Sequence, residues 1–133
     1  MADGAVEVRN PVVRKALAAF DDDADGFRET LHPDIEWYPI ETDRRPFIGI
    51  EAAMRDRQEW LDTWDEHRID LEEVIEQGDS VVASIHITAR GKASGVATDV
   101  RFYAQFKVRD HRIVYVFDHR DRASAFEAAG SEE

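Results

Sequence analysis

The sequence predicts an α+β fold: helices packed on one face of a single curled, mostly antiparallel sheet. Three observations predict it. Apolar residues recur at helical spacing in the first half, at Val12, Val13, Ala16, Leu17 and Phe20 and again at Ile50, Ala53, Met54, Trp60, Leu61 and Trp64. From residue 68 to residue 120 the apolar period falls to two. Turn sequences at Gln77-Gly78-Asp79, at 91–95 and at 109–112 cut that region into four long strands in meander. Helices segregated from an antiparallel run of strands make α+β, not α/β. A twisted sheet of this size curls, and helices on its concave side turn it into a cone with an apolar interior, where pockets form.

Each element has its own signal. Asn10-Pro11 starts the first helix, because Asn is a good N-cap and Pro at the first helical position gives up an N–H that has no partner there. The aspartates at 21–23 end it. A short second helix over 25–31 brings Phe27 and Leu31 to the core, and His32-Pro33-Asp34 reads as a turn. Residues 34–39 form a strand with Ile35 and Trp37 on one face and Glu36 and Tyr38 on the other. Residues 40–48, with Pro46, read as a polar loop, and Gly49 opens a third helix from Ile50 to about Glu66. Strands over 68–75 and 80–90 follow. The second carries Val81, Ala83, Ile85 and Ile87 on one side and Val82, Ser84, His86 and Thr88 on the other. A long hairpin, 95–108 with 113–120, and a short amphipathic helix over 121–130 complete one domain, 1–133, without linker or internal repeat.

Composition narrows the function. Seventeen basic residues against 29 acidic ones give a net charge of −12, which argues against nucleic acid and anionic membrane as partners. No apolar run approaches the ~20 residues of a membrane span, no basic-then-apolar leader is visible, and there is no cysteine. A cytoplasmic protein is expected. Phosphate-loop, dinucleotide and His-Glu-x-x-His patterns are all missing, so neither cofactor nor metal is expected.

Four stretches carry a resemblance: Leu31-His32-Pro33-Asp34-Ile35-Glu36-Trp37, then Phe47-Ile48-Gly49-Ile50-Glu51-Ala52, then Gly78-Asp79-Ser80-Val81-Val82, and finally Arg112-Ile113-Val114 through Asp118 to Phe126. With the order of elements, they resemble the SnoaL-like branch of the nuclear transport factor two-like superfamily, which includes ketosteroid isomerases, polyketide cyclases and limonene-epoxide hydrolases. The resemblance implies a fold, but the enzyme signatures are incomplete. The ketosteroid isomerase base falls at Tyr38 and that enzyme's second acid near Ala104, so steroid isomerisation is not implied. Asp118 stands where the hydrolases and cyclases keep an acid on the last strand. The hydrolase Arg–Asp pair has no counterpart in Ser84-Ile85-His86-Ile87-Thr88.

Asp118 is the residue most suited to chemistry, since an acid in an apolar cavity becomes a proton shuttle near neutral pH. The bland alternative is an ion pair with Arg120, Arg101 or Arg90. His86 is a candidate base or partner for Asp118, and Tyr38 a candidate donor to a ligand oxygen. Trp37, Met54, Trp60, Trp64, Phe102 and Phe106 are candidates to wall a ligand site. His119 points away from Asp118 because strand neighbours alternate. The outer face, with Tyr115, Phe117, His119, Tyr103 and Gln105, is expected to bury itself in a homodimer. Two functions remain open. One is a cofactor-free acid–base enzyme (isomerase, cyclase or hydrolase) acting on a small apolar molecule. The other is a non-catalytic binding or dimerisation module with a degenerate site.

Overall fold

A computed structural model describes residues 7–40 and 45–130. The segment 41–44 of the expected polar loop and the last three residues lie outside the described residues. The elements run α1 (Pro11–Ala19), α2 (Ala24–Glu29), β1 (Leu31–Tyr38), β2 (Phe47–Ile48), α3 (Ile50–Thr63), β3 (Trp64–Gln77), β4 (Ser80–Gly91), β5 (Ala97–Arg109), β6 (Arg112–His119) and α4 (Arg122–Gly130). The six strands form one sheet in the order β2-β1-β6-β5-β4-β3. All neighbours are antiparallel except β1 and β6, which run parallel. This is the expected α+β architecture.

The helix starts follow their caps. Asn10 Oδ1 accepts from the backbone N–H of Val12 and Val13 at 3.0 and 3.2 Å. Glu76, from the far end of β3, accepts from the N–H of Arg9 and Asn10 and fixes the approach to α1. Asp23 caps α2 through Gly26 N–H. Gly49, at φ 89°, makes the turn into α3 that a side chain would resist.

Three boundaries differ from expectation. His32-Pro33-Asp34 lies inside β1, because a residue before proline is driven extended and the strand absorbs the missing donor as a register irregularity between Leu31 and Glu36. Phe47 and Ile48 leave the expected loop to pair with Trp37 and Glu36 as an edge strand. The third helix stops at Thr63, and Trp64 already belongs to β3.

Bulges in β3, between Trp64 and Glu66 and between Leu71 and Glu73, add twist to the longest strand pair. The β5–β6 link is a two-residue turn in which Asp110 and His111 both have positive φ, 56° and 62°.

The sheet has two unlike faces. Helices α1, α2 and α3 cover the inner face, where Ile35, Val81, Ala83, Ile85, Ala104, Phe106 and Val116 join Val13, Ala16, Phe27 and Ala53 in one apolar core. The outer face carries α4, whose fully buried Ala125 packs on Val82 beside Tyr103 and Phe126. Among the described residues no helix is long and apolar enough to cross a membrane.

The α1 cap gives a direct test. Replacing Asn10 with Ala should lower stability by about 1 kcal/mol with the fold intact, read as a shifted urea midpoint at unchanged slope.

Candidate functional site

Asp118 lies on the inner face. Its register partner across β5 is Ala104, and the partner of Ala104 across β4 is Ala83. A carboxylate and two methyl groups thus make one row over three strands, flanked by the larger Val116, Phe106 and Val81 on one side. Only 9% of the Asp118 surface remains exposed. Trp37 reaches it from β1, its indole Nε1 donating to Asp118 Oδ2 at 3.3 Å. The arginines weighed as partners are engaged elsewhere: Arg101 with Glu72, Arg90 with Glu66, and Arg120 with the Ile40 carbonyl.

The apolar candidates gather on the same face. Trp37, Met54, Trp60, Trp64 and Phe102 pack partly buried against the core, and Phe106 lies within it. Edge-to-face contacts run from Trp64 to Trp60 (5.8 Å) and from Trp60 to Phe20 (5.7 Å), and Phe27 meets Trp37 at 6.2 Å. The partial exposure of Met54, Trp60, Trp64 and Phe102 brings this end of the inner face to solvent. Trp64 Nε1 is buried and makes no hydrogen bond among the described residues.

His86 and Tyr38 lie on the other face, which corrects their expected meeting with Asp118. His86 alternates with the core residues Ile85 and Ile87, so it points outward. There its Nε2 bonds Asp99 at 2.7 Å and its Nδ1 lies 3.8 Å from Glu72. The hydrogen bond and charge of Arg101 hold the Glu72 carboxyl below its ordinary range. Tyr38 stacks on Phe117 (5.4 Å) and sits 5.7 Å from Tyr115, its hydroxyl donating to Glu36. That bond, with desolvation, raises the phenol pKa. His119 is outward as expected, but it and Gln105 are buried within this chain and bond each other at 3.0 Å. Tyr103 lies beside α4, while Tyr38, Tyr115 and Phe117 stack on one another on the outer face.

Among the described residues, surface clefts of about 520 and 490 Å³ lie at two places. One lies at the β5–β6 turn, beside Lys15, His32, Asp110 and Arg112, and the other crosses β3 to β5 near Arg68, Thr88, Arg90 and Thr98. Neither borders Asp118. His32 Nδ1 accepts from the backbone N–H of Asp34, in keeping with a backbone-bonding role. No three His, Asp or Glu side chains among the described residues are grouped as metal ligands.

A residue the sequence reading passed over is Arg57. It is 4% exposed, on the core stripe of α3 with Ala53 and Trp60. Its spacing of four from Ala53 and three from Trp60 was the signal. Nε donates to the Phe20 carbonyl at the C-cap of α1 (2.7 Å), and the guanidinium carbon stands 5.8 and 5.7 Å from the rings of Phe20 and Phe27. Burying an ion costs several kcal/mol. A charge-assisted bond returns about 2 kcal/mol and each desolvated ring contact up to about 2 kcal/mol. These offset most of the cost, and among the described residues no carboxylate stands as its counter-ion.

The geometry matches a known family. The SnoaL-like domain profile covers residues 13–116. The chain belongs to the SnoaL-like domain family. Solved structures agree in fold. TerC, co-crystallised with polyporic acid, shares 23% identity over 88% of this chain and 93% of its own, with a TM-score of 0.68. A nuclear transport factor two-like protein of unknown function from Burkholderia pseudomallei shares 21% over 91% and 97%, TM-score 0.71. A SnoaL-like polyketide cyclase candidate from Jannaschia shares 20% over 92% and 96%, TM-score 0.68. At these identities the likeness establishes the fold. No match to a curated protein accompanies these SnoaL-like structures.

On the flank of α3, burial pushes the half-buried Asp56 carboxyl above its ordinary value, and Glu59 adds to the rise. A raised folded-state pKa means that the ionised group destabilises the fold at neutral pH and that the penalty fades as acid protonates it. Asp56→Asn should therefore raise the melting temperature near neutrality, with the gain vanishing below the ordinary aspartate pKa of 3.8, as melts across pH would show.

Proposed function

We propose that this SnoaL-like chain binds a compact, largely apolar small molecule on the inner face and that Asp118 serves as its acid or base, without a cofactor. The observation that carries this reading is a nearly buried carboxylate beside the Trp37 indole, over a floor of alanines, in an otherwise apolar interior. A carboxyl held by an indole N–H can pass a proton to or from a ligand atom within hydrogen-bond reach. Trp37 orients the carboxyl, and Met54, Trp60, Trp64, Phe102 and Phe106 supply apolar contact. The ligand enters past the partly exposed tryptophans. An isomerase, cyclase or hydrolase all fit this arrangement. TerC was crystallised with a small organic acid, polyporic acid, and that supports a small organic ligand here.

A second reading, a binding module without chemistry, is favoured by the placement of His86 and Tyr38 on the outer face and by the position of the two clefts described above, neither of which Asp118 lines.

Fluorescence and turnover separate the two. Titration with 2-acetonaphthone should quench the tryptophans, and Trp37→Phe should lose part of that response. Across a panel of epoxides, cyclic ketones and poly-β-ketone substrates, Asp118→Asn should retain binding and lose turnover at least about 100-fold, the scale of general acid–base catalysis. Binding without turnover in either protein establishes the module, and no quenching by any probe refutes both readings.

We also propose that the chain pairs with itself through Tyr38, Tyr115 and Phe117, stacked side by side on the outer face. Light scattering should give a dimer mass for the native chain and a monomer mass for Phe117→Glu.

A further inference from the structure

Beside the β5–β6 turn the seam between β1 and β6 opens. Between the pairs Leu31–Ile113 and Glu36–Tyr115, the β1 residues 32–35 stand against a single β6 residue, Val114. Pro33 has no N–H to give, so β1 bows off its neighbour there. The cleft of about 520 Å³ lies at this bow, between α1, α2, β1 and the turn, and apart from Pro33 every side chain lining it is polar or charged. Two donors in it lack acceptors. His32 is nearly buried, with 12% of its side chain exposed. Its Nδ1 accepts from the Asp34 N–H at 2.9 Å, so the neutral ring carries its proton on Nε2. That Nε2 lies 3.7 Å from Asp110 Oδ2, too far for a hydrogen bond. Arg112 lines the same cleft and its side chain has no hydrogen bond or ion pair among the described residues, whereas Arg101, Arg109 and Arg122 each stand beside a carboxylate. The acids nearby are mostly drawn off: Glu29 holds Lys15 at 2.6 Å, and Asp34 stands 3.7 Å from Arg109. Asp110 remains, with 79% of its side chain exposed.

We propose that this cleft binds a phosphate group. The Nε2–H of His32, the guanidinium of Arg112 and the ammonium of Lys15 come from β1, β6 and α1, on different sides of one opening. Lys15 keeps two N–H groups beyond the one that Glu29 takes. A tetrahedral phosphate turns oxygens in several directions and meets donors on several sides, whereas a carboxylate presents two oxygens in one plane. Arginine adds a fork that fits two phosphate oxygens, and lysine a point charge. The cleft is larger than one phosphate fills, and its polar walls suit a sugar or polyol carrying that group. Asp110 opposes an anion, and so does the field of a chain with net charge −12. Binding therefore depends on direct bonds to His32, Arg112 and Lys15, not on long-range attraction. Arg112 opens β6 and Asp118 lies near its other end, so this site stands or falls apart from the acid–base reading.

Calorimetric titration at fixed ionic strength, with ribose 5-phosphate, inorganic phosphate and unphosphorylated ribose, tests this. Ribose 5-phosphate should bind and ribose should not. Arg112→Gln should weaken ribose 5-phosphate about tenfold or more, the scale of one lost charge-assisted bond. Asp110→Asn should tighten it by about threefold through removal of a like charge, and the turn is kept because Asn accepts a left-handed backbone as readily as Asp. Tighter binding of ribose 5-phosphate than of inorganic phosphate assigns the site to a phosphomonoester, and equal binding assigns it to the free anion; both uphold a phosphate site. Should Arg112→Gln fail to fold, the native protein still decides. In a spectrum of ¹⁵N-histidine-labelled protein, the His32 Nε2 resonance should move with ribose 5-phosphate and stay in place with ribose. A response to phosphate no larger than that to sodium chloride at equal ionic strength, an unchanged affinity in Arg112→Gln, or an unmoved His32 resonance each overturn the proposal.

Discussion

The parallel pairing of β1 with β6 is the contact on which the rest depends. It joins the helical first half of the chain to the four-strand meander, setting Trp37 against Val116 and Tyr38 against Phe117. Side chains alternate strictly along both strands, so this register decides at once what faces inward and what faces outward. Trp37 goes in with Asp118, and Tyr38 goes out with Phe117 and Tyr115. A slip of one residue in β1 would turn Trp37 outward and Tyr38 inward, taking the indole away from Asp118. The site follows from the fold at that single seam.

The distribution of charge follows the same division. The outer face and the edges carry the paired ions: Glu72 with Arg101, Glu73 with Arg122, His86 with Asp99. Such exposed pairs each contribute little to stability, but they keep most of a strongly acidic chain's charge where water screens it. The inner face keeps a carboxylate that bonds an indole and a guanidinium that bonds a carbonyl. Neither is of a kind that a core requires for packing, and both come at a cost in desolvation.

Much of this was legible in the sequence because it is periodic. Asn10-Pro11, the stripe of α3 and the alternation of 68–120 give the elements and their order, and alternation alone separates Asp118 from His119. The face of His86 was also implied, since it alternates with Ile85 and Ile87, but a polar residue beside Ser84 and Thr88 reads equally as pocket lining. Tyr38 was ambiguous for a different reason. Both sides of β6 are apolar, Val116 on one and Tyr115 with Phe117 on the other, so composition did not say which side the helices cover. Register with Ala104 and Ala83 resolves that, and register is a property of pairing rather than of any one strand. Arg57 was missed because a charged residue on an apolar stripe reads as an interruption of the pattern.

The two-residue turn at Asp110-His111 sets how this scaffold can diversify. Both residues hold a left-handed backbone that side chains adopt reluctantly, and so short a link leaves β6 no latitude to slide. Extra sequence inserted there would uncouple β6 from β5 and release the inward orientation of Asp118. The five-residue link 92–96 between β4 and β5 is exposed and carries its one positive φ at a glycine, Gly95. Natural or designed lengthening of this chain is therefore better tolerated at one end of the sheet than at the other.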